Sequence, residues 1–128
     1  MKKVVTLIIA SALVLSGCSS SPSASNLDAA VFAGKIVETD VVTLDVRTAG
    51  EFMAGHIDGA INIDVEGNTF DAEIANLDKS KTYAVYCQSG RRSQIAADKM
   101  ASAGFASLFN LENGIADWST NGWPVVTS

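Results

Sequence analysis

The chain has 128 residues, 48% of them hydrophobic and 18% charged, which bounds it to one small globular domain plus whatever the N-terminus adds. Its net charge is −5, with 14 acidic against 9 basic residues, so neither nucleic acid nor an anionic lipid surface is expected as its main partner. It has no glycine-rich phosphate loop closed by Lys-Ser or Lys-Thr and no dinucleotide fingerprint, and no cofactor is expected.

Met1-Lys2-Lys3 followed by the apolar run Val4 to Leu15 reads as the basic and hydrophobic regions of a secretory signal, too short to span a bilayer as a helix. The junction Leu15-Ser16-Gly17-Cys18 resembles the lipobox of bacterial lipoproteins, which implies a signal peptide over 1–17, cleavage before Cys18 and lipid on its sulfur. The competing reading is an ordinary signal peptide with a cysteine near its cut. More than one acyl chain suffices for stable anchoring where one is marginal. Residues 18–26 then read as the lipidated cysteine and a Ser-rich tether, of which the seven residues Ser19 to Ser25 reach at most about 25 Å. The expected location is the bacterial cell envelope, on a membrane and facing outside the cytoplasm.

The domain is expected over 27–128. Asn26 is the expected cap of a first helix running through Ile36. Val41 to Val46 is a β-branched run without alternation, the pattern of a strand buried on both faces. Arg47 to Met53 reads as a short helical turn, Gly59 to Ile63 as a second strand, and Asp71 to Leu77 as a helix with Phe70, Ile74 and Leu77 on one face. Thr82 to Tyr86 is a third strand, Ser93 to Ala103 a helix stopped by Gly104, Ser107 to Leu111 a fourth strand, and Ile115 to Trp118 a short helix. Strands alternating with helices predict an α/β fold with a mostly parallel central sheet. Sites in such sheets form beyond the carboxyl ends of strands.

Cys87 stands at that place, between a strand and a helix. With Cys18 carrying lipid it is the single free thiol of the mature chain, so no intramolecular disulfide is available and reactivity explains it better than packing. A thiol before a helix N-terminus, beside Arg91 and Arg92, is expected to ionise below the free value of about 8.5. Cations at a helix N-terminus oppose the dipole, so their presence suggests an anion between them. The competing reading is a buried structural thiol ending a core strand.

Three segments together resemble the rhodanese family: Leu44-Asp45-Val46-Arg47 with Glu51-Phe52, Gly55-His56-Ile57-Asp58-Gly59-Ala60-Ile61-Asn62-Ile63, and Cys87-Gln88-Ser89-Gly90-Arg91-Arg92-Ser93. Leu111-Glu112-Asn113-Gly114-Ile115 with Trp118 supports them. The resemblance implies a three-layer domain with a five-stranded, mostly parallel sheet and helices on both faces. It also implies sulfurtransfer, in which Cys87 takes a sulfane sulfur from a donor such as thiosulfate and passes it as a persulfide to cyanide or a thiol. The backbone amides of Gln88, Ser89, Gly90, Arg91 and Arg92 are then the expected anion cradle, with Gly90 permitting the turn. Arg92 matches a basic family position and is expected to orient the oxyanion donor, with Arg91 adding charge at the mouth.

Gln88 departs from the arginine frequent in related loops, and Asn113 from a common glycine. The related phosphatases and arsenate reductases have five residues between cysteine and arginine; here there are four, Gln88 to Arg91, which suits sulfur better than a tetrahedral phosphate or arsenate. A sulfane-sulfur carrier or anion-binding interaction module of the envelope, without fast turnover, is the alternative from another class. The protein is expected to act as a monomer. His56, the one histidine, is expected to anchor a loop rather than act as a base, and no metal site is expected. Asp45 is expected to cap the turn after its strand, Arg47 and Glu51 to form an i,i+4 ion pair, and Trp118 and Trp123 to pack against the sheet edge.

Overall fold

A computed structural model describes residues 24–127. The expected signal peptide, Cys18 and most of the tether lie outside the described residues. Five strands, β1 (Ser25–Leu27), β2 (Val41–Asp45), β3 (Ile61–Asn62), β4 (Thr82–Tyr86) and β5 (Ser107–Leu111), form one sheet in the order β1-β5-β4-β2-β3. Every neighbouring pair is parallel. The expected α/β architecture is therefore present.

The missing alternation in the strands has a plain cause. Tyr83, Val85 and Cys87 of β4 and its extension join one buried cluster with Leu44, Val46, Phe70, Ala97 and Met100. Ala84 and Tyr86, pointing the other way, join a second with Phe32, Leu111, Ile115 and Trp118. Both faces are covered, so apolar residues occupy successive positions of β4 from Tyr83 to Tyr86. The helices α3 (Phe70–Ala75) and α4 (Arg91–Ser102) cover the first face, and α1 (Ala29–Ile36) and α5 (Gly114–Thr120) the second. The remaining helix, α2 (Ala49–Ala54), follows β2 at the carboxyl end of the sheet.

The N-terminal edge differs from expectation. Asn26 is not a helix cap but the middle of β1, opposite Asn110 of β5, and α1 starts at Ala29 behind Asp28, whose carboxylate accepts from the Val31 amide at 2.9 Å. Three residues beside a serine run carry no strand periodicity of their own; pairing with β5 makes the strand. The α4 helix begins at Arg91, two residues before the expected start, so both arginines lie in its first turn. Elsewhere the elements fall within a few residues of their expected places.

Candidate active site

Cys87 continues the Tyr83, Val85 side of β4, and this register turns its Sγ toward α4 rather than α5. It is 1% exposed. The Gly90 amide donates to Sγ at 3.1 Å, and the Ser93 hydroxyl stands 3.3 Å away. Burial pushes the thiol up, but the Ser93 hydroxyl and the amides of Ser93, Gly90 and Ser89 outweigh it, and the net pKa lies below the ordinary cysteine value. Ser93 Oγ also reaches the Gly90 carbonyl at 3.1 Å. Its single proton has two acceptors, so it can turn to the sulfur when the thiolate forms.

The loop holds its amides inward because its carbonyls are engaged elsewhere. Cys87 O accepts from the Ile115 amide at 2.9 Å and Gln88 O from the Ala116 amide at 3.2 Å, which joins the loop to the first turn of α5. That approach needs Gly114: a Cβ there stands 2.3 Å from Gln88 O. Gly90 is equally constrained, with φ of +104° and a built Cβ 2.0 Å from Glu112 O, so no other residue fits the turn into α4.

The charges sort differently from the expected pairing. Arg47 precedes α2, whose cap is Thr48, so it is not on the helix and the i,i+4 geometry with Glu51 does not exist. Arg47, 4% exposed, instead meets Asp45, 0% exposed, through Nη2 at 2.7 Å and Nε at 3.1 Å, and Nη2 also donates to Gly55 O at 2.7 Å. Asp45 does accept from the Arg47 amide at 2.9 Å, as a turn cap should, but it holds the buried cation as well. Burial and the Asp45 charge keep the neighbouring Tyr86 hydroxyl protonated, well above the ordinary tyrosine value.

Glu51 pairs across the site with Arg92, accepting from its two terminal nitrogens at 2.7 and 2.9 Å, while Glu66 lies 3.7 Å from Arg92 Nε. The Arg92 hydrogen bonds draw the Glu51 carboxyl down to about 2. The charge expected to orient a donor anion is thus neutralised locally. Arg91 is exposed and takes part in no ion pair among the described residues.

His56 is an anchor: Nδ1 meets Phe52 O at 2.8 Å, the ring stacks on Phe52 at 3.7 Å, and the backbone bridges to Val126. Trp118 packs inside, against Phe32, with its indole N–H donating to Pro124 O at 2.9 Å. Of the expected amide cradle from Gln88 to Arg92, the Ser89 and Gly90 amides act on the Cys87 sulfur. Sequence reasoning missed Ser93 as a sulfur ligand, Gly114 as the place of approach and the Glu51–Arg92 clip. Ser93 alone left a signal, its place six residues after the cysteine in the first turn of a helix.

A model of the rhodanese-like domain matches residues 24–121. A sulfurtransferase of Allochromatium vinosum is 27% identical over 103 residues, covering 80% of this chain and 94% of its own length. A thiosulfate sulfurtransferase of Arabidopsis thaliana chloroplasts is 35% identical over 91 residues, covering 63% of this chain and 76% of its own. The crystal structure of a rhodanese-related protein from Thermoplasma volcanium superposes with a TM-score of 0.72 at 31% identity, covering 81% of this chain and 99% of the other. With a five-stranded parallel sheet, a cysteine loop at the carboxyl end of its central strand and a family match across nearly all the described residues, the chain belongs to the rhodanese-like domain family.

Proposed function

We propose that the protein is a sulfurtransferase working through a persulfide on Cys87, with thiosulfate or a similar sulfane-sulfur anion as donor. The observation that carries this reading is the ring of donors around a buried sulfur: Gly90 N–H at 3.1 Å and Ser93 Oγ at 3.3 Å, with the thiol drawn below its ordinary pKa. The thiolate attacks the outer sulfur of thiosulfate; a Cys87 S–S bond forms as the bond to the sulfonate sulfur breaks, and sulfite leaves with that electron pair. The amides that hold the thiolate then face the persulfide anion, whose charge needs the same donors. Exposed Arg91 supplies the free positive charge at the mouth for the donor and the departing sulfite, while Arg92 fixes α4 to α2 through Glu51. An acceptor, cyanide or a thiol, takes the outer sulfur and returns the thiolate.

The sulfurtransferase relatives from Allochromatium and Arabidopsis support the reaction class. Intact mass after brief thiosulfate exposure tests it: the gain of one sulfur, removed by cyanide and absent in Cys87→Ala, is expected. An unchanged mass with Cys87 reduced refutes it. Burial of Cys87 to 1% exposure also favours a slower carrier that protects its persulfide, and fast cyanide turnover eliminates that version. The lipobox-like Leu15-Ser16-Gly17-Cys18 supports action at an envelope membrane, read out by lipid on Cys18 in the mature protein.

A further inference from the structure

The chain's two tryptophans stand together on the face of the sheet that α1 and α5 cover. Trp118 is 2% exposed, whereas Trp123, its ring centroid 5.4 Å away, is 37% exposed. The segment that carries Trp123 is pinned: its amide donates to Trp118 O at 3.2 Å, and the Trp118 indole donates to Pro124 O at 2.9 Å. A large apolar ring partly in water is thus held in place, so a ligand on it has little side-chain freedom to remove. Two cavities share this ring. One, of about 330 Å³, is lined by Ala33, Ile36 and Val37 of α1 together with Ile57 and Trp118. The other, of about 320 Å³, is lined by Ala29 and Ala30 of α1 together with Asp117 and Asn121. Positions 29, 33 and 36 to 37 recur at helical spacing, so both cavities lie on one face of α1 and form a groove about 12 Å long at about 1.5 Å per residue.

Every charged residue in the two linings is acidic, Asp58 in the first cavity and Asp28 and Asp117 in the second. None of the three takes part in an ion pair among the described residues. Lys35, the one lysine of α1, is engaged by Glu38 at 3.0 Å and lies over the Phe109 ring. The groove is therefore apolar around Trp123 and negative in each half.

We propose that this groove docks a protein partner through an extended segment of about four or five residues, the number that spans it at about 3.3 Å each. Two apolar side chains of the segment enter the cavities beside Trp123, and its lysines or arginines meet Asp58 in one half and Asp28 and Asp117 in the other. A tryptophan among apolar side chains with charge at the rim is the anatomy of a binding surface, and the sign of that charge selects a basic partner. The same carboxylates repel an anionic lipid surface. The Cys87 sulfur turns toward α4 on the opposite face, so a partner seated here leaves that side of the site free. The inference needs only the fold and stands apart from the sulfurtransfer reading.

Because both tryptophans line the groove, the intrinsic fluorescence of the full chain reports on it. The probes are acetyl-Lys-Leu-Ser-Leu-Lys-amide, the same peptide with Glu in place of both Lys, and the same peptide with Ser in place of both Leu. A saturable change is expected with the first, with a Kd at least about tenfold lower than for either of the others and weakening as salt is raised. The Trp123 indole N–H should be among the signals that the first peptide shifts in NMR spectra. Asp58→Lys, at an exposed position, is expected to narrow the gap between the Lys-flanked and Glu-flanked peptides. The three peptides decide the matter in the native chain alone should that variant fail to fold. No saturable change, equal affinity for all three peptides, or a charge preference that a folded Asp58→Lys leaves intact overturns the proposal. A fluorescence change driven by protein concentration alone, in step with a doubled mass, also overturns it and assigns the groove to a second copy of the chain.

Discussion

The Glu51–Arg92 clip joins two helices on which the cysteine loop depends, and its strength follows from the geometry. Both terminal nitrogens of Arg92 meet the two carboxylate oxygens, at 2.7 and 2.9 Å, the bidentate arrangement that makes such pairs strong. A carboxyl lowered from 4.5 to about 2 corresponds to about 3.4 kcal/mol at about 1.36 kcal/mol per pH unit. The Arg92 and Glu51 side chains are 22% and 33% exposed, so solvent screening brings this to about 1 to 2 kcal/mol. Urea unfolding of the native chain, Glu51→Gln, Arg92→Ala and the double variant at pH 7 should give a coupling energy in that range. Because the folded carboxyl ionises below its unfolded value, the stabilisation is complete above about 4.5 and fades as pH falls toward about 2. The stability gap between the native chain and Glu51→Gln should therefore close over that interval. A coupling below about 0.3 kcal/mol, within ordinary additivity error, together with a gap independent of pH, would show that Arg92 is free to meet substrate and refute its role as a clip.

Three other changes probe the site. Ser93→Ala removes a hydroxyl that favours the thiolate, so the Cys87 pKa should rise and iodoacetamide alkylation at neutral pH should slow; an unchanged pH profile would remove Ser93 from the sulfur's environment. Gly114→Ala forces a Cβ against Gln88 O at a φ of +68°, and a loss of more than about 2 kcal/mol is expected in urea unfolding, whereas a native midpoint would contradict the close approach of α5. Asp45→Asn leaves the Arg47 guanidinium buried without its counter-charge, which should destabilise by about 3 to 5 kcal/mol; a loss under about 1 kcal/mol would mean that water reaches the pair.

Much of the architecture was legible in local pattern. Val41 to Leu44 and Thr82 to Tyr86 are continuous apolar or β-branched runs because both faces of the sheet are covered, and Ile74, Ala96 and Met100 recur at helical spacing because one face of each helix meets the sheet. The turn that carries Cys87 was legible too, since Gly90 supplies a conformation that few residues adopt. Nothing local marks Ser25 to Leu27 as a strand; it exists because β5 offers an open edge.

The site's charges were not legible for a related reason. Arg47 and Glu51 stand four apart and suggest each other, yet the helix begins between them, and each takes a partner that the chain's path brings near: Asp45 at the end of β2, and Arg92 41 residues along in α4. The sequence by itself determined the residue types that chemistry requires, a thiol between a strand and a helix, a glycine turn and nearby arginines, because nucleophilicity and backbone freedom are properties of single residues. Only the tertiary structure decided which cation is neutralised and which is left free, because ion pairs and hydrogen bonds depend on distances between elements that the order of residues does not contain.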